Sequence, residues 1–430
     1  MSEFLNVLLI VFWGIIMFSI IVFIHEGGHF LAARAFGVRV KEFMLGLPGP
    51  SIGFTWRGTR YGVTAILLGG YANIAGMEGG KENPHLSQAA AYIAERGRVS
   101  LEEVQAAEET LGFDLESALD VLDAWDTVKR SKCKGGHYLY ELQARDGRAL
   151  GEPLALADPS AFIDEERSHT YRSLGWFKRV LILVAGAAFN MLFAVAVFTI
   201  ALMAMGSQQA TTTFASVAED SPAAVAGMVA GDTVVSLAGA PVATWEDFMA
   251  GMSAYAPGDM VEVGFTHEGV QKQATVVLAD NEGKALLGVK SQVEIVPVSF
   301  IDAASTAVSF IGVVAVAIVG LFNPATFGDV VSQSSSVVGI SVEAKAAADA
   351  GFLNFIVLAA ALSISIGLMN LLPIPPLDGG KILVETIERI SRRRIPVKAI
   401  NAISFAAMGL LLLLFFVVTG QDINRYILGG

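Results

Sequence analysis

Charge is scarce in this chain. Asp, Glu, Lys and Arg make up 16% of its 430 residues and apolar residues 53%, where an ordinary soluble chain carries about 25% charged residues. Such a composition excludes a purely water-soluble globule and leaves a membrane protein with soluble parts. Cysteine is limited to Cys133, which excludes an intrachain disulfide. Basic residues are nearly missing from residues 206–299, which hold only Lys272, Lys284 and Lys290; seventeen Lys and Arg lie between Arg39 and Arg179, and six between Lys381 and Lys398. Basic loops tend to stay in the cytoplasm, so this asymmetry puts the two basic segments inside and residues 206–299 outside. The opening Met-Ser-Glu-Phe has no basic n-region and no small-residue cleavage site follows it, which predicts a retained first helix rather than a removable signal peptide.

What is present in abundance is apolar runs. Roughly 20 apolar residues at about 1.5 Å rise cross a hydrocarbon core of about 30 Å. Residues 5–24, 180–205 and 400–419 meet this outright, with Asn190 isolated in the second; 352–372 meets it apart from Asn354, two serines and Asn370. A fifth run, 303–322, is long enough but rich in Ala, Ser and Thr.

The first run closes on His25-Glu26-Gly27-Gly28-His29. On a helix, residues i and i+4 share a face, so both imidazoles can reach one metal ion while Glu26 touches a metal-bound water without ligating. Zinc would lower that water's pKa to about 7 and polarise a scissile carbonyl, with the carboxylate relaying the proton. A chance HExxH is the competing reading, but ionisable groups at membrane depth are costly and usually functional. The two glycines, each unfavourable in a helix, suggest that another backbone approaches closely. A catalytic zinc needs a third protein ligand. The other histidines, His85, His137, His169 and His267, lie in polar segments, whereas Asp378 follows an apolar run in Asn370-Leu-Leu-Pro-Ile-Pro-Pro-Leu-Asp378-Gly-Gly. Three prolines forbid regular helix there, and irregular backbone at membrane depth survives only where buried or lining a wet cavity. A solvated interfacial turn is the alternative for this segment.

HEGGH in the first helix together with NLLPIPPLDGG near the C-terminus resembles the site-2 protease family of intramembrane zinc metalloproteases, in its bacterial PDZ-containing, regulator-of-sigma-E-protease-like branch. The resemblance covers residues 1–80 and about 170–425 and meets the family pattern, HExxH then Asn-x-x-Pro-x-Pro-x-Leu-Asp-Gly, at every fixed position. It implies zinc on His25, His29 and Asp378, Glu26 as general base, and Asn370 as a contact for substrate or the reacting carbonyl. Gly186 to Asn190 (GAAFN) resembles the family's Gly-Pro-x-x-Asn without its proline. The implied function is cleavage of single-span, membrane-anchored regulators such as anti-sigma factors, or of signal-peptide remnants. A membrane-anchored zincin cutting soluble loops, and a non-catalytic membrane receptor, are the alternative classes.

If His25 and Asp378 share an ion, they lie at one membrane face. Counting from an outside N-terminus, this predicts four transmembrane helices in a bacterial plasma membrane, with 303–322 along or partly inside the outer interface and zinc near the cytoplasmic side; a fifth span would put Asp378 and Arg389, Arg392, Arg393 and Arg394 outside. The fold class is therefore an α-helical polytopic membrane protein with associated β-structure, divided as follows: residues 1–80, first helix and membrane-associated β-hairpin; 81–170, a cytoplasmic insertion; 171–206, second helix; 207–298, an extracytoplasmic domain; 299–351, interfacial helix and loop; 352–430, third and fourth helices.

Residues 38–73 alternate with glycine punctuation and read as a β-hairpin or small sheet, which could hold an unwound substrate stretch by strand addition or simply cover the membrane surface. Residues 210–296 resemble one bacterial protease-type PDZ domain, a module that captures extended peptides or C-termini or acts as a size filter. The insertion reads as helices over 86–95, 101–110 and 115–129 and a strand pair around 137–142, the order of a winged helix. Its third helix carries Asp114, Glu116, Asp120, Asp123 and Asp126, and 18 acidic residues face 10 basic ones over 81–170. Phosphates would be repelled, so no nucleic acid is expected and a protein-contact role is favoured. Lys129, Arg130, Lys132 and Lys134 offer a contact to anionic lipid or merely a solvated wing.

Overall fold

The computed structural model describes residues 2–67, 69–77, 83–132, 137–145, 147–281, 283–393 and 395–424; Lys81, Cys133, Lys134 and Arg394, used above, lie outside the described residues. The chain divides into two compact units, Met1–Phe198 with Thr306–Gly430, and Thr199–Ser305.

Helix α1 (Ser2–Ala35) runs without a break through HEGGH and ends where Gly37 turns into the left-handed region at φ 80°. A four-stranded sheet follows, β1 (Val40–Leu45), β2 (Ser51–Trp56), β3 (Thr59–Thr64) and β4 (Gly70–Ile74), ordered β2-β3-β1-β4. β1 pairs parallel with β3 and antiparallel with β4, placing Phe43 beside Tyr61 and Ala72. The Phe43 ring meets Phe23 and Phe30 of α1 at 5.2 and 5.1 Å, which seats the sheet on the helix. On the edge strand β2, Ile52, Phe54 and Trp56 are 88%, 66% and 56% exposed, an apolar surface that water alone would not favour.

The insertion contains α2 (Leu86–Arg96), β5 (Arg98–Ser100), α3 (Leu101–Leu111), α4 (Leu115–Ala124), β6 (Val128–Lys132), β7 (Tyr138–Leu142) and α5 (Pro159–Ser168), with a sheet ordered β5-β7-β6. Its own core is built on Ile93, Val104, Leu119, Leu122 and Tyr140. The third helix stops at Ala124 rather than continuing to 129, because Asp126 takes φ 62° and the chain enters β6. Of the basic set weighed for lipid contact, Arg130 is engaged within the insertion by Asp120 at 2.9 Å and Glu116 at 3.2 Å.

A charged cluster fastens this insertion to β1. Glu166 accepts from Arg39 at 2.6 and 2.9 Å, from Arg145 at 2.7 Å and from the Thr127 hydroxyl at 2.6 Å, and Lys41 donates to Asp123. Burial would raise the Glu166 pKa, but the two guanidiniums and the hydroxyl outweigh it and hold the carboxyl below its usual value. Its contribution to stability is therefore present above the unfolded pKa, near 4.5, and is lost as pH falls through the lower folded value. Glu166→Gln leaves two arginines without their shared carboxylate; a loss of about 3 kcal/mol is expected, the lower end for breaking a buried pair. Melting curves of the full chain should show that loss at pH 7 and a smaller one at acid pH, and equal curves at pH 7 would contradict the assignment.

Helix α6 (Trp176–Met205) leads into the second unit, a six-stranded sheet with one two-stranded ribbon. Its elements are β8 (Ser207–Val217), α7 (Pro222–Val225), β9 (Thr233–Leu237), β10 (Ala240–Pro241), α8 (Trp245–Met252), β11 (Met260–His267), β12 (Val270–Val277), β13 (Ala279–Asn281), β14 (Lys284–Leu286) and β15 (Val289–Val296). The order β12-β11-β9-β8-β15 pairs the first strand with the last, so the chain enters and leaves side by side, as an inserted domain requires. Phe214, Phe248, Val263 and Phe265 centre its core.

The remaining helices are α9 (Phe300–Gly320), α10 (Pro324–Gln333), α11 (Val337–Ala350), α12 (Phe352–Asn370), α13 (Asp378–Ser391) and α14 (Val397–Ile423). Among the described residues five helices, α1, α6, α9, α12 and α14, are long and apolar enough to cross a membrane, and the 303–322 run falls in one of them, Phe300–Gly320, as far as Gly320. Residues 323–351 are two helices rather than a loop. α11 packs Ala344 against Met17 and Ile21 of α1, and the buried Asp422 carboxylate of α14 accepts the Ser336 amide at 2.6 Å at the start of α11.

Candidate metal centre

The prolines 373, 375 and 376 end the helical path after Asn370, and helix resumes at Asp378 itself. That break returns the Asp378 side chain to α1. His25 Nε2 lies 3.1 Å from Asp378 Oδ2, His29 Nε2 3.0 Å from the same oxygen, and the two imidazole nitrogens 3.2 Å from each other. All three residues are buried, at 6%, 5% and 7% exposure.

The chemistry of these contacts identifies what the cluster is for. His29 Nδ1 faces the Ile182 carbonyl at 2.7 Å and must donate to it, so in the neutral ring Nε2 carries a lone pair. That lone pair points at a carboxylate oxygen and at a second imidazole nitrogen. Asp378 Oδ1 is occupied by Lys381 at 3.1 Å, which leaves Oδ2 for the histidines. Three electron-pair donors converging in a buried place repel one another unless a cation sits among them. Donors around a tetrahedral zinc, at about 2.0–2.1 Å from the ion, stand roughly 3.3 Å apart, close to the spacing here. Among the described residues this is the one His/Cys/Asp/Glu cluster with metal-site spacing and full burial. The residues fit zinc.

Glu26, one residue from His25, is half-buried and accepts the Ala72 backbone N–H of β4 at 3.0 Å through Oε2. Asn370, the last residue of α12, brings its amide nitrogen to 3.5 Å from His25 Nε2, beside the cluster. Asn370 also borders a cavity of about 640 Å3 whose lining includes Phe18, Met369, Leu411 and Phe415. The five residues singled out in the sequence thus meet in one place.

Helix α6 contributes further contacts, some at the GAAFN segment that the sequence marks and one that it does not. Ile182 acts through its carbonyl, which no side-chain pattern announces. Asn190, buried on α6 and marked in the sequence as the last of GAAFN, brings its amide to 3.4 Å from His25 Nδ1; with the amide turned so that its buried, otherwise unpartnered oxygen accepts Nδ1–H, Nε2 keeps its lone pair. The helices approach closely at Gly28 and Gly186. A Cβ on Gly28 would lie 2.4 Å from the Ala185 carbonyl oxygen, and one on Gly186 2.5 Å from His29 Nε2. Gly27, by contrast, faces open space, so only one of the HEGGH glycines answers to a close backbone contact. Gly186→Val should push the imidazoles apart: a destabilisation of about 1–3 kcal/mol, as for overpacking elsewhere, together with loss of bound zinc. Metal analysis of the purified variant checks this, and a full zinc complement would rule out the close packing described.

The chain is similar to zinc metalloprotease RasP of Oceanobacillus iheyensis, 27% identical over 96% of this chain and 98% of that one, and to zinc metalloprotease RasP of Geobacillus kaustophilus, 25% identical over 96% and 97%. A solved PDZ domain of an SdrC-like protein from Listeria monocytogenes is similar over 19% of this chain and 86% of its own, at 25% identity and a TM-score of 0.18. The model of peptidase family M50 matches residues 13–414, nearly the whole chain and both halves of the metal cluster, and the chain belongs to that family.

Proposed function

We propose that this zinc metalloprotease cuts single-span membrane proteins, anchored regulators or signal-peptide remnants, within or at the edge of their spanning helices. The enzyme class and the membrane setting follow from the family and the apolar helices. The observation that carries the intramembrane reading is the burial of His25, His29 and Asp378 where α1 and the end of α12 meet, both helices of spanning length.

His25, His29 and Asp378 would hold the ion, which when bound supplies Lewis-acid polarisation of a carbonyl and an acidified water. Glu26 takes the proton from the attacking water and delivers it to the leaving amine. The Ala72 N–H fixes Oε2, leaving Oε1 for that proton. Asn370, an amide donor beside His25, steadies the substrate carbonyl.

A helical substrate hides its peptide bonds in internal hydrogen bonds and must unwind first. The sheet offers an edge, β4, whose Ala72 touches the base, and strand addition there would present an extended stretch to the site. In this reading four helices span a bacterial plasma membrane with the active site near the cytoplasmic side, α9 enters from the outer interface and packs Ile311 and Val314 against α6 and α12, and the second unit is an extracytoplasmic PDZ domain that captures C-termini or excludes bulky substrates. The charge asymmetry supports this orientation. The insertion is a winged-helix-like module for protein contact, without nucleic acid.

The test uses a single-span reporter and mass mapping of the cut. A bond broken inside or at the border of the reporter's span is expected; a cut confined to soluble loops would replace this reading with that of an anchored zincin. With Cys133→Ser, Asn281→Cys should react with an impermeant maleimide from outside intact cells, and labelling only after lysis would reverse the orientation.

A further inference from the structure

The turn before α6 with the first residues of that helix, and the end of α13 with the residues just after it, enclose a concavity of about 740 Å3 that the peptidase chemistry does not use. Five guanidiniums line it, those of Arg172, Arg179, Arg389, Arg392 and Arg393, with Glu388 as the acidic member. Arg179 is paired with the buried Glu385 at 2.7 Å, and Glu388 accepts the Ile395 amide at 2.9 Å. Arg172 also lies within electrostatic reach of Glu385, so five guanidiniums face two carboxylates, Glu385 and Glu388, and the pocket holds a surplus of positive charge. The four arginines besides Arg179 are exposed, so solvent screens their repulsion, but their convergence on one concavity gives it a positive potential that attracts an anion.

A second concavity, of about 480 Å3, adjoins the first and shares Arg389, but its other walls include Leu174, Trp176 and Phe177. Arg389 stands 6.0 Å over the Trp176 ring, and Phe177 and Ile390 are 64% and 78% exposed. One arginine thus divides an anion-seeking pocket from an apolar one, at the residue where a membrane-length helix begins. A free phosphate would use only the first pocket. A molecule with a phosphate and acyl chains would use both.

We propose that this is a binding site for the headgroup of an anionic phospholipid, with the phosphate among Arg389, Arg392 and Arg393 and the glycerol and upper acyl chain against Trp176 and Phe177. The site joins the two helices that complete the metal cluster. One turn beyond Arg179, Ile182 holds His29 through its carbonyl; two turns before Glu385, α13 opens with Asp378. A headgroup held there ties the ends of α6 and α13 and keeps their contributions to the cluster in register.

The test compares the full chain with R389Q/R392Q/R393Q, and with K272Q/K284Q/K290Q, which removes equal charge from exposed positions of the second unit. Each is equilibrated in phosphatidylcholine micelles doped with phosphatidylglycerol and weighed by native mass spectrometry, with zinc content as the check on folding. Wild type and the control should retain one phosphatidylglycerol, and the arginine variant should bind it about a hundredfold more weakly, since each basic residue strengthens attraction to an anionic lipid surface several-fold. Brominated acyl chains should quench Trp176 in wild type, read as the difference from Trp176→Phe. Equal retention by the arginine variant, an equal loss in the control, or inorganic phosphate binding as tightly as the lipid would each overturn the proposal. Loss of peptidase activity alone leaves these outcomes unchanged, so the site and the proposed reaction stand or fall separately.

Discussion

Glu26→Gln should abolish peptide-bond cleavage, by about 10²- to 10⁴-fold, while zinc remains bound. The substitution is nearly isosteric, and its amide oxygen can still accept the Ala72 N–H that Glu26 Oε2 accepts at 3.0 Å. What is removed is the carboxylate's capacity to take a proton from water. The ligand atoms, His25 Nε2, His29 Nε2 and Asp378 Oδ2, are untouched, so metal analysis should give the wild-type ratio. Reporter cleavage at the wild-type rate would dismiss Glu26 as the base. Loss of zinc would instead make it a ligand.

Asp378→Ala should weaken zinc binding by at least about a hundredfold, the upper end of what even outer-shell partners contribute. The histidines alone are two neutral donors held by α1; Asp378 supplies the third donor and the only negative charge among them. The variant also leaves Lys381 without its partner at 3.1 Å, which is a surface effect of little weight because Lys381 is half exposed. Asp378→Asn separates charge from packing, since it preserves the volume and removes the anion. Zinc titration in detergent reads both variants. Wild-type affinity in both would reject Asp378 as a ligand, and loss in Ala but not Asn would make its role one of packing.

Much of this site was legible because local geometry is periodic. His25 and His29 share a helical face at any tertiary arrangement, and Glu26 follows one residue on, so HEGGH predicted its own constellation. Asp378 was legible through its setting, a carboxylate just after an apolar run among prolines that forbid helix. The α6 contacts were legible only in part. The Ile182 carbonyl is common to every residue type; Asn190 was marked as the last residue of GAAFN, but its partner, His25, is fixed only when α6 lies against α1. The HEGGH glycines were half-read: Gly28 meets the Ala185 backbone and Gly27 meets nothing. The segment 323–351 passed for interface and loop because its Ala, Ser and Gly content hides a small-residue helix that packs closely on α1.

By itself the sequence determined which chain lengths are apolar enough for a bilayer, which side of α1 bears the imidazoles, and that one acidic residue far along the chain interrupts an apolar, proline-broken segment. These follow from composition and from the helical repeat, which depend on neighbours within a few residues. Only the tertiary structure decided that Asp378 Oδ2 comes to 3.0–3.1 Å from both imidazoles, that α6 supplies the carbonyl fixing the His29 tautomer, and that Ala72 orients Glu26. The reason is physical: a donor set is made by distances between residues up to 353 positions apart, and those distances are set by the packing of whole helices and a sheet, which no local pattern encodes.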